Sequence, residues 1–356
     1  MNAAMGRYRT MIGHRLFWPA AVLVVMFAAN TIYRPGFLSV ELKDGHLYGT
    51  PIDILRLSAP LILVALGMTL VISTGGIDLS VGSLCAISGA IACTYISQQP
   101  DQNSLGVVLT ALAMALGVAL VLGAWNGVLV AVIGIQPIIA TLILMVAGRG
   151  LAQLITEGQI ITINSEPYRA IGLGHVLTLP LAIFIALAAA LLVAAFTRRT
   201  ALGMIIESVG GNAEASRLAG IRSGRVVFLA YVLSAGCAAI AGFMMTANVS
   251  SADGNAAGLW VELDAILAVV IGGTSLAGGR FFLSGTILGA LIIQTLTTTV
   301  YAMNISPQTS LLFKAVVVIA VCLIQAPAFR ARFTRRRSGA PPPSTIAAKP
   351  KEQVPA

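Results

Sequence analysis

Few residues in this chain could do chemistry, and most of them lie in or beside apolar stretches. Asp78 sits in the run Gly75-Gly76-Ile77-Asp78-Leu79-Ser80-Val81-Gly82, between two apolar segments. Glu262 and Asp264 open a later apolar segment. An ionisable group at membrane depth is costly and marks a candidate transport pathway. Asp78 also has a structural reading, in which its carboxylate caps the next helix by accepting free N–H groups. The two roles are compatible. Glu262 and Asp264 likewise complement the positive end of a helix dipole. Arg149 and Lys314 lie inside apolar segments, where each can snorkel to the interface or pair with an acid across the bundle. Asn126 and Gln136 flank the end of one segment and can line a pathway or hydrogen-bond between helices. The pathway candidates are therefore Asp78, Asn126, Glu262 and Asp264.

Several chemistries find no residues. The chain has no G-x-x-x-x-G-K-[ST] loop for a nucleotide and no H-E-x-x-H metal motif. His14, His46 and His175 are scattered. Cys85, Cys93, Cys237 and Cys322 lie in apolar segments without a C-x-x-C spacing, as buried packing residues do. An intramembrane aspartyl protease needs two facing aspartates, and Gly75-Gly76-Ile77-Asp78 is not the G-x-G-D of such enzymes. No catalytic, cofactor-binding or metal-binding residue is assigned, and the expected role is not enzymatic.

The elements that position these residues follow from composition. Of the 356 residues, 57% are hydrophobic and 10% charged, with a mean hydropathy of +0.91. A soluble domain carries about 25% charged residues, so this chain cannot coat a globule with polar surface. It reads as an all-α polytopic membrane protein. The net charge of +9 comes from basic residues at segment ends, which fits the positive-inside rule. No aromatic–basic interleaving suggests nucleic acid.

A spanning helix needs about 20 apolar residues, and ten segments can be marked. They cover 16–33, 57–72, the stretch after Ser83 to Ser97, 105–133, 138–155, 175–196, 226–247, 259–271, 281–301 and 311–324. A cleaved signal peptide is the alternative for the first, but the run is long and no clear A-x-A site follows. Ten spans put both termini on one side, together with the polar stretch 198–225 and Arg280. The arginines of the N-terminus, of 198–225 and of the tail make that side cytoplasmic. The other side receives Arg34, Lys43, Arg56 and Arg169. The expected layout is a cytoplasmic N-terminus (1–15), a membrane domain (16–325) that includes the polar stretch 198–225, and a disordered cytoplasmic tail (326–356).

Many of the 36 glycines serve close helix packing. Two stretches share the pattern G-G-x-x-L-x-x-G, Gly75–Gly82 and Gly272–Gly279, and each joins two apolar segments. Each can be an unwound or re-entrant corner between broken helices. Chance similarity of glycine-rich loops is the other explanation, and no whole-chain repeat is built on it.

The longest interior polar interval is Arg198–Arg225, with five arginines against Glu207 and Glu214. Ala213, Ser216, Leu218 and Ala219 have helical spacing, Asn212 is a plausible N-cap and Gly220 a plausible helix end. A transporter with no nucleotide site must use an ion gradient or borrow an ATPase. A gradient-driven carrier or channel has no need of a compact helix outside the membrane, so this helix is expected to meet a partner.

The motifs then point to a family. The stretch G-x-x-x-x-x-x-G-G-N-x-x-A-x-x-x-x-G-I, Gly203 to Ile221, resembles the cytoplasmic coupling motif of ABC-importer permeases of the ribose, xylose and galactofuranose branch. GGIDLSVGS (75–83), WNGVLV (125–130), PIIATL (137–142), ELDAILAVVIGGTSLAGGR (262–280) and the lysine of FKAVVVIAV (Lys314) match in the family's order, over residues 55–325. The likeness is nearest to a galactofuranose-type permease. It implies a ten-helix subunit of the bacterial inner membrane, paired with a second copy or a sister permease. An ATPase subunit carrying ATP and Mg would bind the cytoplasmic face, and a periplasmic sugar-binding protein would dock outside. It implies coupling roles for Gly203, Glu207, Gly210, Gly211, Asn212, Ala215 and Gly220. The sugar would pass along the dimer interface, bounded by lipid on the outer face of the pair.

Overall fold

A computed structural model describes residues 16–43 and 45–303, with isolated positions at 309, 312, 315, 316 and 319. Apart from those isolated positions the tenth expected segment, with Lys314 and Cys322, lies outside the described residues, as do the N-terminal arginines and the tail. Among those described, twelve helices follow one another with three two-stranded ribbons between them. The helices are α1 (Phe17–Tyr33), α2 (Thr50–Ser73), α3 (Val81–Ser97), α4 (Leu105–Ala131), α5 (Pro137–Ile155) and α6 (Glu166–Leu173). They continue as α7 (Leu181–Arg199), α8 (Leu202–Gly211), α9 (Ala213–Leu218), α10 (Ser223–Val249), α11 (Val261–Ile271) and α12 (Leu283–Ala302).

Six of these, α2, α4, α5, α7, α10 and α12, are long and apolar enough to cross a membrane. The protein is a multi-pass membrane protein. Helices α1 and α3 have 17 residues each, about 25 Å at 1.5 Å per residue. Helix α11 has 11 residues and reaches only about 16 Å, roughly half of the ~30 Å hydrocarbon core. It is half a span, preceded by the chain from Ser250 to Trp260.

Two segment boundaries differ from expectation. The polar stretch before Leu57 is already helical from Thr50. Pro51 supplies the fixed φ of a first turn, and Asp53 pairs with Arg56 one turn on at 3.3 Å. The segment expected from His175 starts instead at Leu181, because His175–Val176 and Leu179–Pro180 pair as a tight ribbon.

Helix α10 is the central post, packed along α2, α3 and α4. Its buried face is built of small residues, Ala230, Ser234, Ala235, Ala238 and Ala241. Lipid tails give no hydrophobic drive between helices, so close backbone approach must supply the contact. A methyl on Gly67 of α2 would stand 2.9 Å from the Ser234 Cα, and one on Gly127 of α4 would stand 2.8 Å from the Phe228 ring.

Both glycine-rich corners break helices as expected. Helix α2 ends at Ser73 and α3 begins at Val81, while α11 ends at Ile271 and α12 begins at Leu283. They are not equivalent residue by residue. Each opens with the same Schellman cap. In the first, Gly75 N–H donates to Ile72 O and Gly76 N–H to Val71 O. In the second, Gly273 N–H donates to Val270 O and Thr274 N–H to Val269 O. The left-handed residue is thus the first glycine of one pair, Gly75 (φ +85°), and the second of the other, Gly273 (φ +88°). The sequence pattern aligns the corners one residue out of structural register.

Candidate functional site: a glycine junction beneath a capped helix

The stretch after α7 folds as two helices. Arg198 and Arg199 close the last turn of α7, where cations suit the dipole. Gly203 then lets α8 lie against that end, since a methyl there would collide with the Thr197 carbonyl. Glu207 is half-buried on the same helix. Asn212 is the N-cap of α9, with extended backbone, and its Oδ1 accepts the Ala215 N–H at 2.9 Å. At the other end Gly220 takes φ +86°. Gly220 N–H donates to Arg217 O and Ile221 N–H to Ser216 O, each at 3.0 Å, which completes a Schellman cap. Glu214 accepts two bonds from Arg217, at 2.6 and 3.0 Å. Those bonds hold the exposed Glu214 carboxyl below its ordinary pKa.

The face of α9 differs from the expected one. Ser216 is buried against the bundle, whereas Ala213, Ala215, Leu218 and Ala219 are exposed. The four periodic residues therefore do not share one outward face. Leu218 is 77% exposed, as is Met204 on α8 at 71%, so the loop shows apolar side chains outside the bundle.

The root of this loop is wedged between the two corners. A methyl on Gly210 would collide with the Ser73 carbonyl, where α2 ends, and would stand 2.6 Å from the Gly279 nitrogen. Gly279 N–H donates to Ser73 O at 3.0 Å. A methyl on Gly278 would stand 2.8 Å from the Gly210 carbonyl and 3.1 Å from Gly75. Three backbones thus meet at one point, the end of α8 and both helix breaks. Gly211 has open space around it. Sequence reasoning marked these glycines separately; their meeting was not predicted, because contacts between distant glycines leave no pattern along a chain.

Beside the first corner lies a buried polar network in which the Asn126 Oδ1 has no hydrogen-bond partner among the described residues. Asp78 Oδ1 accepts the Ser80 N–H at 3.1 Å and the Ser80 hydroxyl at 2.6 Å, and Oδ2 accepts the Ser234 hydroxyl at 2.9 Å. Asn126 Nδ2 donates to Ser80 Oγ at 2.9 Å. All four side chains are buried. The carboxylate accepts the N–H of Ser80, the N-cap residue of α3, and makes no side-chain cap bond to the free N–H groups of the helix's first turn, so the capping reading is not met in that form. The carboxylate also ties the entry of α3 to α4 and α10. Ser80 was recognisable as a local partner two residues along; Ser234 had no sequence signal.

Glu262 and Asp264 occupy the first turn of α11 as expected. Glu262 is buried with Oε2 where a methyl on Gly82 would sit. Asp264 is half-buried at the wall of a separate cavity at the other end of the bundle. The four pathway candidates therefore divide, with Asp78 and Asn126 in one enclosed network and the α11 acids outside it. Arg149 donates to the Ala257 carbonyl at 2.5 Å, and among the described residues no acid lies within ion-pair distance of it. Gln136 is the exposed N-cap position of α5.

The family described as branched-chain amino acid transport system / permease component matches residues 50–322. The chain belongs to that family. A galactofuranose transporter permease of Escherichia coli K12 is 49% identical over 320 residues, covering 88% of this chain and 92% of that protein. A fructose import permease of Bifidobacterium longum is 42% identical over 325 residues, 90% of each chain. A ribose import permease of Escherichia coli K12 is 36% identical over 328 residues, 89% of this chain and 98% of that one. No solved structure matches. This permease is a transport subunit and not an enzyme.

Proposed function

We propose that this permease is the membrane subunit of an ATP-driven importer that carries a monosaccharide, a pentose or a hexose such as galactofuranose, across the bacterial inner membrane. The relatives named for galactofuranose, fructose and ribose support the substrate class. The observation that carries the mechanism is the Gly210 junction. A doubly capped helix follows α8, and the end of α8 at Gly210 touches the end of α2 at Ser73 and the second helix break at Gly279.

In this reading a cytoplasmic ABC ATPase subunit holds ATP and Mg and grips α9. Gly203, Glu207, Gly210, Gly211, Asn212, Ala215 and Gly220 form the coupling element. Closure of the ATPase pair displaces α9, and close-packed backbones without intervening side chains pass the displacement to Ser73 and Gly279. Packed interfaces switch between discrete arrangements and do not deform smoothly, so both corners move together. A second permease, the same or a sister, completes the pathway, and a periplasmic sugar-binding protein delivers the sugar. Ten spans with both termini cytoplasmic, the membrane domain 16–325 and the tail 326–356 complete the layout.

Uptake by cells or proteoliposomes containing the permease, its ATPase and its binding protein tests this. Uptake should stop on ATP depletion and persist with an uncoupler. Uptake driven by a proton or sodium gradient in vesicles lacking an ATPase would overturn the proposal in favour of a secondary carrier.

A further inference from the structure

An apolar cavity of about 220 Å3 lies where α7, α8 and α10 close against α2. Its floor is buried, with Leu70 of α2, Ile206 of α8 and Ala230 of α10. Its rim is exposed, with Leu192 and Phe196 of α7 and Leu229 and Leu233 of α10. The one polar side chain in the wall is Thr197, and its hydroxyl donates to the Val193 carbonyl of its own helix at 2.8 Å. We propose that this cavity and the arginines beside it form a site for an anionic phospholipid, with one acyl chain in the cavity and the headgroup on the arginines. The proposal goes beyond the import reading and does not depend on which solute is carried.

The wall selects hydrocarbon. It has no free side-chain donor or acceptor, so a sugar, an ion or a water would lose its hydrogen bonds on entering. Apolar cavities of about 150 Å3 stay dry and take up small hydrocarbons, so this one has room for a length of chain. Its place in the fold supplies that chain. Helices α2, α7 and α10 are each long and apolar enough to cross a membrane, and the exposed rim lies on the flanks of α7 and α10. Leu192 stands seven residues before Arg199, about 10 Å along the helix. The cavity therefore falls within the first third of a ~30 Å hydrocarbon core, counted from the α9 end, where an acyl chain leaves its glycerol. Leu202 and Ile206 of α8 also line it, and α8 runs from there to Gly210. A seated chain thus braces the helix that ends at the glycine junction.

The same helices carry the charge that selects the headgroup. Arg198 and Arg199 follow Thr197 in the last turn of α7, and Arg225 precedes Val226 in the first turn of α10. Thr197 and Val226 both line the cavity, so the two helices bring their arginines to one edge of it. Helical spacing agrees, because Leu192, Phe196 and Arg199 recur at i, i+4 and i+7, and Arg225, Leu229 and Leu233 at i, i+4 and i+8. All three arginines are exposed, and none is in an ion pair among the described residues. The acids of the interval are Glu207 and Glu214, and Glu214 is held by Arg217. Unmatched guanidinium groups suit phosphate oxygens, which they bind in bidentate pairs. An acidic patch on a soluble protein would meet the arginines but leave the apolar cavity empty. Basic pockets between spans at the cytoplasmic face suit anionic lipid headgroups, and this is that face in the layout proposed above.

Native mass spectrometry of the purified, delipidated full-length permease tests the site, with palmitoyl-oleoyl phosphatidylglycerol and the matching phosphatidylcholine as probes. The expected result is retention of phosphatidylglycerol with a preference on the order of tenfold. The double variant Arg199→Gln, Arg225→Gln should lose that preference. Both positions are exposed and unpaired, so their substitution leaves the fold intact. Arg169→Gln, on α6 ahead of the opposite end of α7, should keep the preference. Leu229→Trp, which fills the rim with the arginines in place, should lower phosphatidylglycerol retention. Melts in nanodiscs give a second reading, in which phosphatidylglycerol should raise the midpoint of the wild type and not of the double variant. Equal retention of the two lipids would overturn the site, as would an unchanged preference in the double variant. Undiminished retention in Leu229→Trp would overturn the cavity as the seat of the chain. Retention of neither lipid, the result expected where a second copy or another segment of this chain covers the cavity, would overturn the proposal as well.

Discussion

The two glycine corners share the pattern G-G-x-x-L-x-x-G and are built differently. The first, Gly75–Gly82, is largely enclosed, and its interior holds the Asp78 network. The second, Gly272–Gly279, is largely exposed, and its side-chain bonds are local: the Phe282 N–H donates to Thr274 Oγ1, and the Ala277 N–H to Ser275 Oγ. Superposing them by their caps places Leu276, 46% exposed, where the first has the buried Asp78. A shared glycine pattern thus specifies a way of ending a helix and little more. One corner is locked by a buried carboxylate and anchors α3 to α4 and α10. The other is held mainly by backbone contacts to Ser73 and Gly210.

The largest effect should come from the point where the corners touch. Gly210→Val forces a side chain into the Ser73 carbonyl and the Gly279 nitrogen. Overpacking of this kind costs about 1–3 kcal/mol or more, and ATP-dependent uptake in proteoliposomes should be lost. Gly211→Ala, in open space, should retain uptake in the same assay. Equal behaviour of the two would dissolve the junction.

Next is the asymmetry of the fillings. Asp78→Ala leaves the buried Ser80 and Ser234 hydroxyls without their acceptor, a cost of about 1–3 kcal/mol that a thermal melt in nanodiscs would record. Asp78→Asn keeps an acceptor and should lose less. Leu276→Ala, at the matching exposed position, should stay within about 0.5 kcal/mol. A melt showing similar losses at 78 and 276 would break the contrast.

A smaller effect tests the register. Gly75 and Gly273 both have positive φ and nothing within 4 Å of a notional methyl. Alanine at either should cost about 1–2 kcal/mol from the left-handed backbone alone, and the two losses should agree. Gly76→Ala should differ from both, since its methyl would stand 2.6 Å from the Tyr231 hydroxyl. Equal losses at 76 and 273 would restore the alignment the letters suggest.

The smallest effect lies outside both corners and serves as a control. Because Arg217 depresses the Glu214 pKa, that pair contributes above the carboxyl's unfolded pKa, about 4.3. The contribution is lost as pH falls through the lower folded value. A side-chain carboxyl NMR titration should place Glu214 below the ordinary glutamate range, and Glu214→Gln should remove that transition while leaving the corners' melts unchanged.

Much of the site was legible because it is local. Asn212 and Gly220 are caps, and caps are written within a few residues of the helix they close. The membrane class followed from composition, and the helix breaks from glycine between apolar runs. The start of α2 at Thr50 was not legible from hydropathy, since its first turns are polar and their helical state shows only in the proline and in the Asp53–Arg56 spacing. The face of α9 was misjudged because a six-residue helix has too few positions for periodicity to say which side meets the bundle.

By itself the sequence determined that this permease spans a membrane many times, shows no P-loop motif and carries a capped helix between two of its apolar segments. Those properties come from composition and from interactions a few residues long. Only the tertiary structure decided that Gly210 touches both breaks, that Asp78 is answered by Ser234 and that Leu70, Phe196 and Leu229 line one cavity. Each of these joins residues far apart in the chain, and such contacts are set by how helices pack, which no local pattern encodes.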